Sequence, residues 1–441
     1  MTAGKVRIPH AHLIVGSFAI LVGAAILWLS RTYTFYFDEW SFILTAPDWT
    51  LATYFQPHNE HPSMLLRVVY AALLNTVGLR SYVPYMAVLM LIHIANVLLL
   101  FGLIRARAGD LVALWAAALF LLLGAGWEDL LWAFQLAWLA SLALGMATLY
   151  VLQAPSTPGR LAIAAGLLSG SLMFSGIGVV FAAAVMVMLA VTPARRRDLA
   201  WFFPVGVALA VWYIAFGRLG ERPNPGPTAA NVLLVPAYAL WGLATSAAGI
   251  IGEGGWVSVP LLLVAASALG WAWTRQRPDA LALGVAAGLV TFYVVTGMSR
   301  AQLGYTQSGS SRYVYVGAAL WLIVLADAGQ RLPWRGTWRP ALVACVFLAC
   351  FNSTALLFSF ATAKTVLMQR EVADLYALAA ERSDPCLKPN GTVDPYVMPP
   401  VDHPALYYRA ADRYGDPRVG LPLRDLPSYD EAIRNLRKPG C

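Results

Sequence analysis

The sequence predicts an all-α polytopic membrane protein, with about eleven helices crossing a bilayer and short interfacial helices in its first outer loop. Three observations predict it. Of 441 residues, 59% are hydrophobic and 12% charged, where a soluble domain is about half apolar and about a quarter charged. The mean hydropathy is +0.63. Apolar runs recur along the chain at close to the roughly 20 residues that a helix needs to cross a bilayer.

The elements follow in order. Lys5 and Arg7 precede the first run, 13–29, which reads as an uncleaved signal-anchor entering from the cytoplasm. Residues 31–80 then form an outer loop. Within it, 40–55 mixes apolar, aromatic and polar residues and suits one or two short amphipathic helices. Residues 64–79 are apolar but hold Arg67 and Asn75, which suits another interfacial helix. Spans follow at 82–104, 111–123 and 130–152, with the turn GAGWED (124–129) before the last of these. Residues 161–191 are long for one crossing and short for two; FSGIG (174–178) at their centre predicts a tight pair of short helices. A span at 199–217 leads to the loop ERPNPGP (221–227). Residues 231–251 contain Pro236 and end in GEGG, so they read as re-entrant or interfacial. The last spans are 256–273, 280–297, 313–328 and 340–360. Residues 1–360 make the transmembrane domain and 361–441 a small extracytoplasmic tail that opens with a helix over 364–381.

The net charge of +8 does not point to nucleic acid. The tail is neutral, with 11 basic and 11 acidic residues, and the excess lies in the hydrophobic body. There it sets topology. The cytoplasmic loops carry 13 basic residues (Lys5, Arg7, Arg105, Arg107, Arg160, Arg195, Arg196, Arg197, Arg275, Arg277, Arg331, Arg335 and Arg339) against 4 acidic ones. The outer loops carry 7 basic and 8 acidic residues. The amino terminus is thereby cytoplasmic and the tail outside. Abundant Ala, and Arg in excess of Lys, suggest a GC-rich bacterial genome, and the expected location is then the bacterial inner (plasma) membrane.

Charges are rare in this chain, so ionisable clusters at a membrane boundary mark candidate sites. Asp38-Glu39 follows the first span; a carboxylate there suits a general base, a substrate anchor or a cation ligand. His58, Glu60 and His61 lie between Pro57 and Pro62. Imidazole and carboxylate suit a divalent metal, so His58 and His61 are candidate metal ligands. The flanking prolines argue for an extended or turning segment, which favours polar contacts to substrate or loop. Glu128-Asp129 is a second acidic pair on the same side. Arg300 and Arg312 flank an outer loop rich in Ser and Gly, a setting that suits a phosphate. Cys345 and Cys350 read as buried apolar side chains of the last span. Cys386 and Cys441 are the two tail cysteines and could pair in an oxidising compartment.

In this order the motifs resemble those of the GT-C superfamily of integral-membrane glycosyltransferases, which includes protein O-mannosyltransferases, aminoarabinose transferases and cell-wall arabinosyl- and mannosyltransferases. The matching stretches are FDEW (37–40), EHPSMLL (60–66), GLRSYVPY (78–85), GWEDLLWAF (126–134) and SSRYVYV (310–316). Ser63 stands where many relatives have a second proline, and the tail holds no recognisable carbohydrate-binding domain.

The resemblance implies a GT-C-like bundle that transfers one sugar, with inversion, from a polyprenyl-phosphate donor. The acceptor is a cell-envelope glycan, lipid or protein. Asp38 matches the family's base and Glu39 is its alternative; Glu128 or Asp129 matches the second acidic position. Arg312 is the first choice for the donor phosphate, with Arg300 and His58 behind it, and Glu60, His61 and Tyr313 are substrate contacts. Metal dependence stays open. The competing classes are a lipid-linked sugar transporter or flippase and a polysaccharide ligase or polymerase.

Overall fold

The computed structural model describes residues 7–220, 228–330 and 338–441, with the side chains of residues 338 and 339 left aside. Lys5, Arg331, Arg335, the side chain of Arg339 and the loop 221–227 lie outside the described residues. Among the described residues everything with regular structure is helical, and β pairing is confined to isolated bridges at His58–His61 and Leu387–Arg437.

Nine helical stretches among the described residues are long and apolar enough to cross a membrane, which makes this a multi-pass membrane protein. Helix α1 (Ala11–Leu29) is followed by α2 (Asp38–Thr45), α3 (Leu51–Phe55) and α4 (Met64–Thr76) in the first long loop. Helix α5 (Val83–Leu121) is continuous by hydrogen bonding but breaks at Gly109, whose φ of 83° suits glycine. The chain doubles back there, and His93 meets Leu121 and Phe120 across the fold. The two expected spans are thus the two arms of one tight hairpin. The short α6 (Trp127–Leu131) leads into α7 (Leu136–Val151).

The stretch 161–191 is a pair of short helices, α8 (Pro158–Phe174) and α9 (Ile177–Ala190), broken at Ser175 in an extended conformation. Pro158 and the Thr157 side chain, which accepts from the Arg160 amide, start α8. A side chain at Gly178 would come within 2.5 Å of the Leu172 amide nitrogen, so glycine permits the close turn. Helices α10 (Phe203–Ala215), α11 (Ala229–Gly249), α12 (Ser258–Arg275), α13 (Ala280–Arg300) and α14 (Ser311–Gly329) complete the bundle.

Residues 229–249 form one helix through Pro236, long and apolar enough to cross a membrane. Its first turn meets the last turn of α13, where Asn231 donates to the Met298 carbonyl. Its last turn meets Val314, in the first turn of α14, and Ala125, so both of its ends lie at the end of the bundle where α13 stops and α14 starts. One segment differs from the sequence expectation: α15 (Trp338–Glu381) is a single helix that joins the last span to the expected tail helix. No Pro or Gly occurs between 341 and 381, so nothing stops the helix at 360. Its upper half rises beyond α1: the Tyr33 hydroxyl donates to the Ala361 carbonyl just past the end of that helix.

The bundle has two chemically distinct ends. At one, the Ile8 amide donates to Asp110, Arg105 pairs with Asp110, Arg107 with Asp279 and Arg195 with Asp198. At the other lie the first loop, α6, the Ser175 break, Arg300, Arg312 and the tail. The tail contains α16 (Pro404–Tyr414) and α17 (Leu426–Leu436), and Cys386 and Cys441 are joined by a disulfide across it. It packs on the first loop: Arg409 pairs with Asp48, the Leu79 amide donates to the Tyr414 carbonyl, and Trp40 meets the Tyr407 ring.

Candidate active site at the loop end of the bundle

Asp38 and Glu39 open α2 and part company at once. Phe37, just before them, has φ 51° and ψ −119°. Glu39 turns inward and is fully buried. It accepts from the Tyr36 amide at 2.9 Å, Tyr70 at 2.7 Å, Tyr82 at 3.0 Å and Trp132 at 3.2 Å. Burial pushes its carboxyl up to about 7, against the hydrogen bonds led by Tyr70. Glu39 does not line the cavity that holds Asp38; its position is that of a structural acceptor joining α2, α4 and the α6–α7 region.

Asp38 faces a cavity of about 60 Å³, together with His58, Asn59, His61, Gln135, Ser175, Arg300 and Arg312. Burial raises its carboxyl, opposed by the Arg312 charge and the hydrogen bond from Asn59. Residues 57–62 form the other wall. His58 and His61 exchange both backbone bonds at 3.0 Å, closing a two-residue hairpin, and Asn59 and Glu60 carry φ of 47° and 72°. This is a mirror-image turn in which Asn is favoured and Glu is strained. It aims Asn59 at Asp38 Oδ2 (3.4 Å) and at His58 Nε2 (3.2 Å). Burial, with Arg67 behind it, pushes His58 down to about 4; burial and Arg300 push His61 down to about 3. Both rings are neutral near pH 7. Glu60 borders the neighbouring apolar cavity instead. The described residues contain no cluster of three or more His, Cys, Asp or Glu side chains placed to hold a metal.

The second acidic pair also divides. The Glu128 amide donates to Ser311 at 3.0 Å, and Glu128 Oε2 accepts the Arg312 amide at 3.3 Å. Asp129 is fully buried, and neither carboxyl oxygen finds a partner outside its own backbone. Burial first, then the Glu128 charge, pushes its carboxyl well above the usual carboxylate range, opposed by the Arg312 charge. Tyr313 does not reach the cavity; it is buried against Trp138 and Phe292.

The polar cavity shares His61, Trp138, Ser175 and Arg300 with a cavity of about 500 Å³ between α9, α10 and α13. Its remaining lining is mainly apolar, including Val180, Leu209, Trp212 and Val295. On the far side of α10 lies a second apolar hollow of about 310 Å³, reaching Pro62 from between α8 and α10.

No protein-family model, curated protein or solved structure matches this chain.

Several side chains at this end were not legible as site residues. Asn59, Gln135, Ser175 and Trp138 line the cavity, and Lys364 of α15 places Nζ 3.2 Å from the Tyr36 ring centroid. The one sequence signal for Asn59 was its place in a turn between two prolines. For Lys364 it was a lone cation after a long apolar run. The chemistry of the arrangement is plain: one raised carboxylate, two neutral imidazoles and two guanidiniums share a small polar space that continues into a large apolar one.

Proposed function

We propose that the chain is an integral-membrane glycosyltransferase that moves one sugar from a polyprenyl-phosphate carrier to an extracytoplasmic acceptor. One observation carries this reading. The cavity of Asp38 shares Arg300 and three further lining residues with an apolar cavity between spans α9, α10 and α13. A lipid-linked sugar phosphate has the same sequence of chemistries: a polar head, an anionic link and a long hydrocarbon.

Asp38 accepts the proton of an acceptor hydroxyl as that oxygen attacks the anomeric carbon. The bond from that carbon to the phosphate oxygen breaks with inversion, and its electron pair leaves on the phosphate. Burial makes Asp38 a stronger base than an exposed aspartate. Arg300, at the junction of the two cavities and with no ion pair among the described residues, stabilises the charge that grows on the leaving phosphate. Arg312 lies between Glu128 and Asp38 and orients both. Neutral His58 and His61, with Asn59, supply donors and acceptors for sugar hydroxyls.

In this reading the loop end and the tail face out of a bacterial inner membrane, the arginine-rich end is cytoplasmic, and α2, α3 and α4 rest in the outer interface. The acceptor is a cell-envelope glycan, lipid or protein. The test is transfer from labelled polyprenyl-phosphate sugars by the purified protein in nanodiscs. Product formation that is lost in Asp38→Asn supports the reading; an unaltered protein inert toward mannose, arabinofuranose, glucose and galactose donors alike overturns it.

A further inference from the structure

Of the four described non-glycine residues with positive φ, Asn59 lines the Asp38 cavity, and Phe37 and Glu60 are the chain neighbours of the lining residues Asp38 and His61. At φ 51° and ψ −119° Phe37 holds a conformation that only glycine adopts freely, so its surroundings must impose it. One contact on its backbone comes from the tail. The Phe37 amide donates to the Val397 carbonyl at 3.1 Å. Val397 is fully buried in a turn that Asp394 builds. Asp394 Oδ1 accepts the Tyr396 amide at 2.6 Å and the Val397 amide at 3.4 Å, and the Met398 amide closes on the Asp394 carbonyl at 3.1 Å. Asp394 Oδ2 is paired with Arg370, which α15 carries beside Glu371, the residue that accepts the Trp40 indole at 2.6 Å. The disulfide Cys386–Cys441 closes the segment that contains the turn.

We infer that the 394–398 turn is a positioning element of the active site: its Val397 carbonyl fixes the Phe37 backbone and thereby aims the next residue, Asp38, into the cavity. This rests on the glycosyl-transfer reading with Asp38 as base. Released from Val397, Phe37 relaxes toward an ordinary conformation, and α2 begins with Asp38 turned from its place beside Asn59 and Arg312. The tail is then more than a passive appendage. It completes a site whose chemical groups all lie in the membrane part.

The experiment compares the full chain in nanodiscs with three variants, reading kcat, donor KM and deuterium uptake of the peptide 35–40. Asp394→Ala removes the acceptor that builds the turn. It is expected to lower kcat by about 10- to 100-fold, the scale of a misplacement near an ångström, with donor KM little changed and uptake at 35–40 raised. Asp394→Asn keeps Oδ1 as acceptor while losing the charge beside Arg370, and should retain most of the rate. Arg409→Ala breaks the tail's exposed contact with Asp48 and should leave both kcat and uptake at 35–40 unchanged. The inference is overturned by Asp394→Ala with raised uptake and an unaltered kcat, or by unaltered uptake. It is also overturned by Arg409→Ala or Asp394→Asn lowering kcat as far as Asp394→Ala, since any loosening of the tail then suffices. Should the unaltered protein transfer no sugar, the reaction reading fails and the catalytic half of the inference with it. Uptake at 35–40 still judges the contact itself.

Discussion

Arg312 is tied to Glu128 twice: its guanidinium lies 3.5 Å from Glu128 Oε2, and its backbone amide donates to the same oxygen at 3.3 Å. The start of α14 is therefore fastened to α6 by a carboxylate that also balances the charge facing Asp38. Arg312 has a partner before any substrate arrives, and Arg300 has no ion pair among the described residues. The two arginines consequently predict different defects.

Arg300→Ala should weaken donor binding, raising KM by about tenfold or more, the loss of one charge-assisted hydrogen bond at roughly 1.5–3 kcal/mol. Arg312→Ala should lower stability as well, because it removes the guanidinium beside Glu128 and leaves only the backbone amide on that carboxylate. Donor titration and thermal unfolding of both variants check this. Equal effects on both readouts would remove the division of roles.

Asp38→Asn should reduce transfer by roughly 10²–10⁴-fold, the contribution of a placed general base, while donor binding persists. Glu39→Gln should act on stability instead. It removes the charge to which Tyr70, Tyr82 and Trp132 donate, at about 1–3 kcal/mol for disturbed buried hydrogen bonds. A Glu39→Gln protein of normal stability that cannot transfer would move the base one residue along.

Glu39 also predicts a pH dependence. Its folded carboxyl is raised from 4.5 to about 7, so between those values the folded state binds more protons than the unfolded one. Its contribution is greatest below pH 4.5 and is lost as pH rises through about 7, by about 3 kcal/mol at 1.36 kcal/mol per unit. His58 and His61 act with the opposite sign. Their folded values are lowered, so their contribution is full above 6.5 and is lost as pH falls toward about 4 for His58 and about 3 for His61. The measurable quantity is the difference between the unaltered protein and Glu39→Gln, in which the histidine contributions cancel. That difference should shift against the unaltered protein from pH 4.5 to 8; a constant difference contradicts the assignment.

Replacing Cys386 and Cys441 by Ser opens a loop with a sequence separation of 55. The chain-entropy cost is about 4 kcal/mol, confined to the tail. Protease nicking of 382–441 at a lower temperature than in the unaltered protein is the expected result. Non-reducing peptide mapping that finds both thiols free in native membranes would contradict the bond.

Single cysteines test the orientation. Thr306→Cys and Val419→Cys, both at exposed positions, should react with an impermeant reagent in intact cells. Thr157→Cys and Ala194→Cys, exposed at the arginine-rich end, should react only after the membrane is opened. The reverse pattern would place the Asp38 cavity in the cytoplasm.

Much of the fold was written locally. Hydropathy marks the spans because each must be apolar over its own length. Pro57 and Pro62 exclude a helix around His58 and His61, and the structure has a hairpin there. FSGIG breaks α8 from α9 for the same local reason. The run from 341 to 381 lacks a stop, yet its polar second half reads as a separate element until it is seen to be continuous. What the sequence could not decide is which of two adjacent carboxylates turns inward. In Asp38-Glu39 and in Glu128-Asp129 the neighbours have the same charge, and the choice rests on partners distant in the chain. Glu39 turns inward to Tyr70, Tyr82 and Trp132, at separations of 31, 43 and 93 residues, whereas in the second pair Asp129 is the buried member and the Glu128 carboxylate meets Arg312, 184 residues on. Lys364 over Tyr36 and Val397 on Phe37 are of the same kind. Propensity and hydropathy act within a few residues along the chain and determined the elements. Which carboxyl is buried is settled by how separate helices pack: donors from several helices converge on Glu39, none reaches Asp129, and both outcomes are properties of the packed bundle alone.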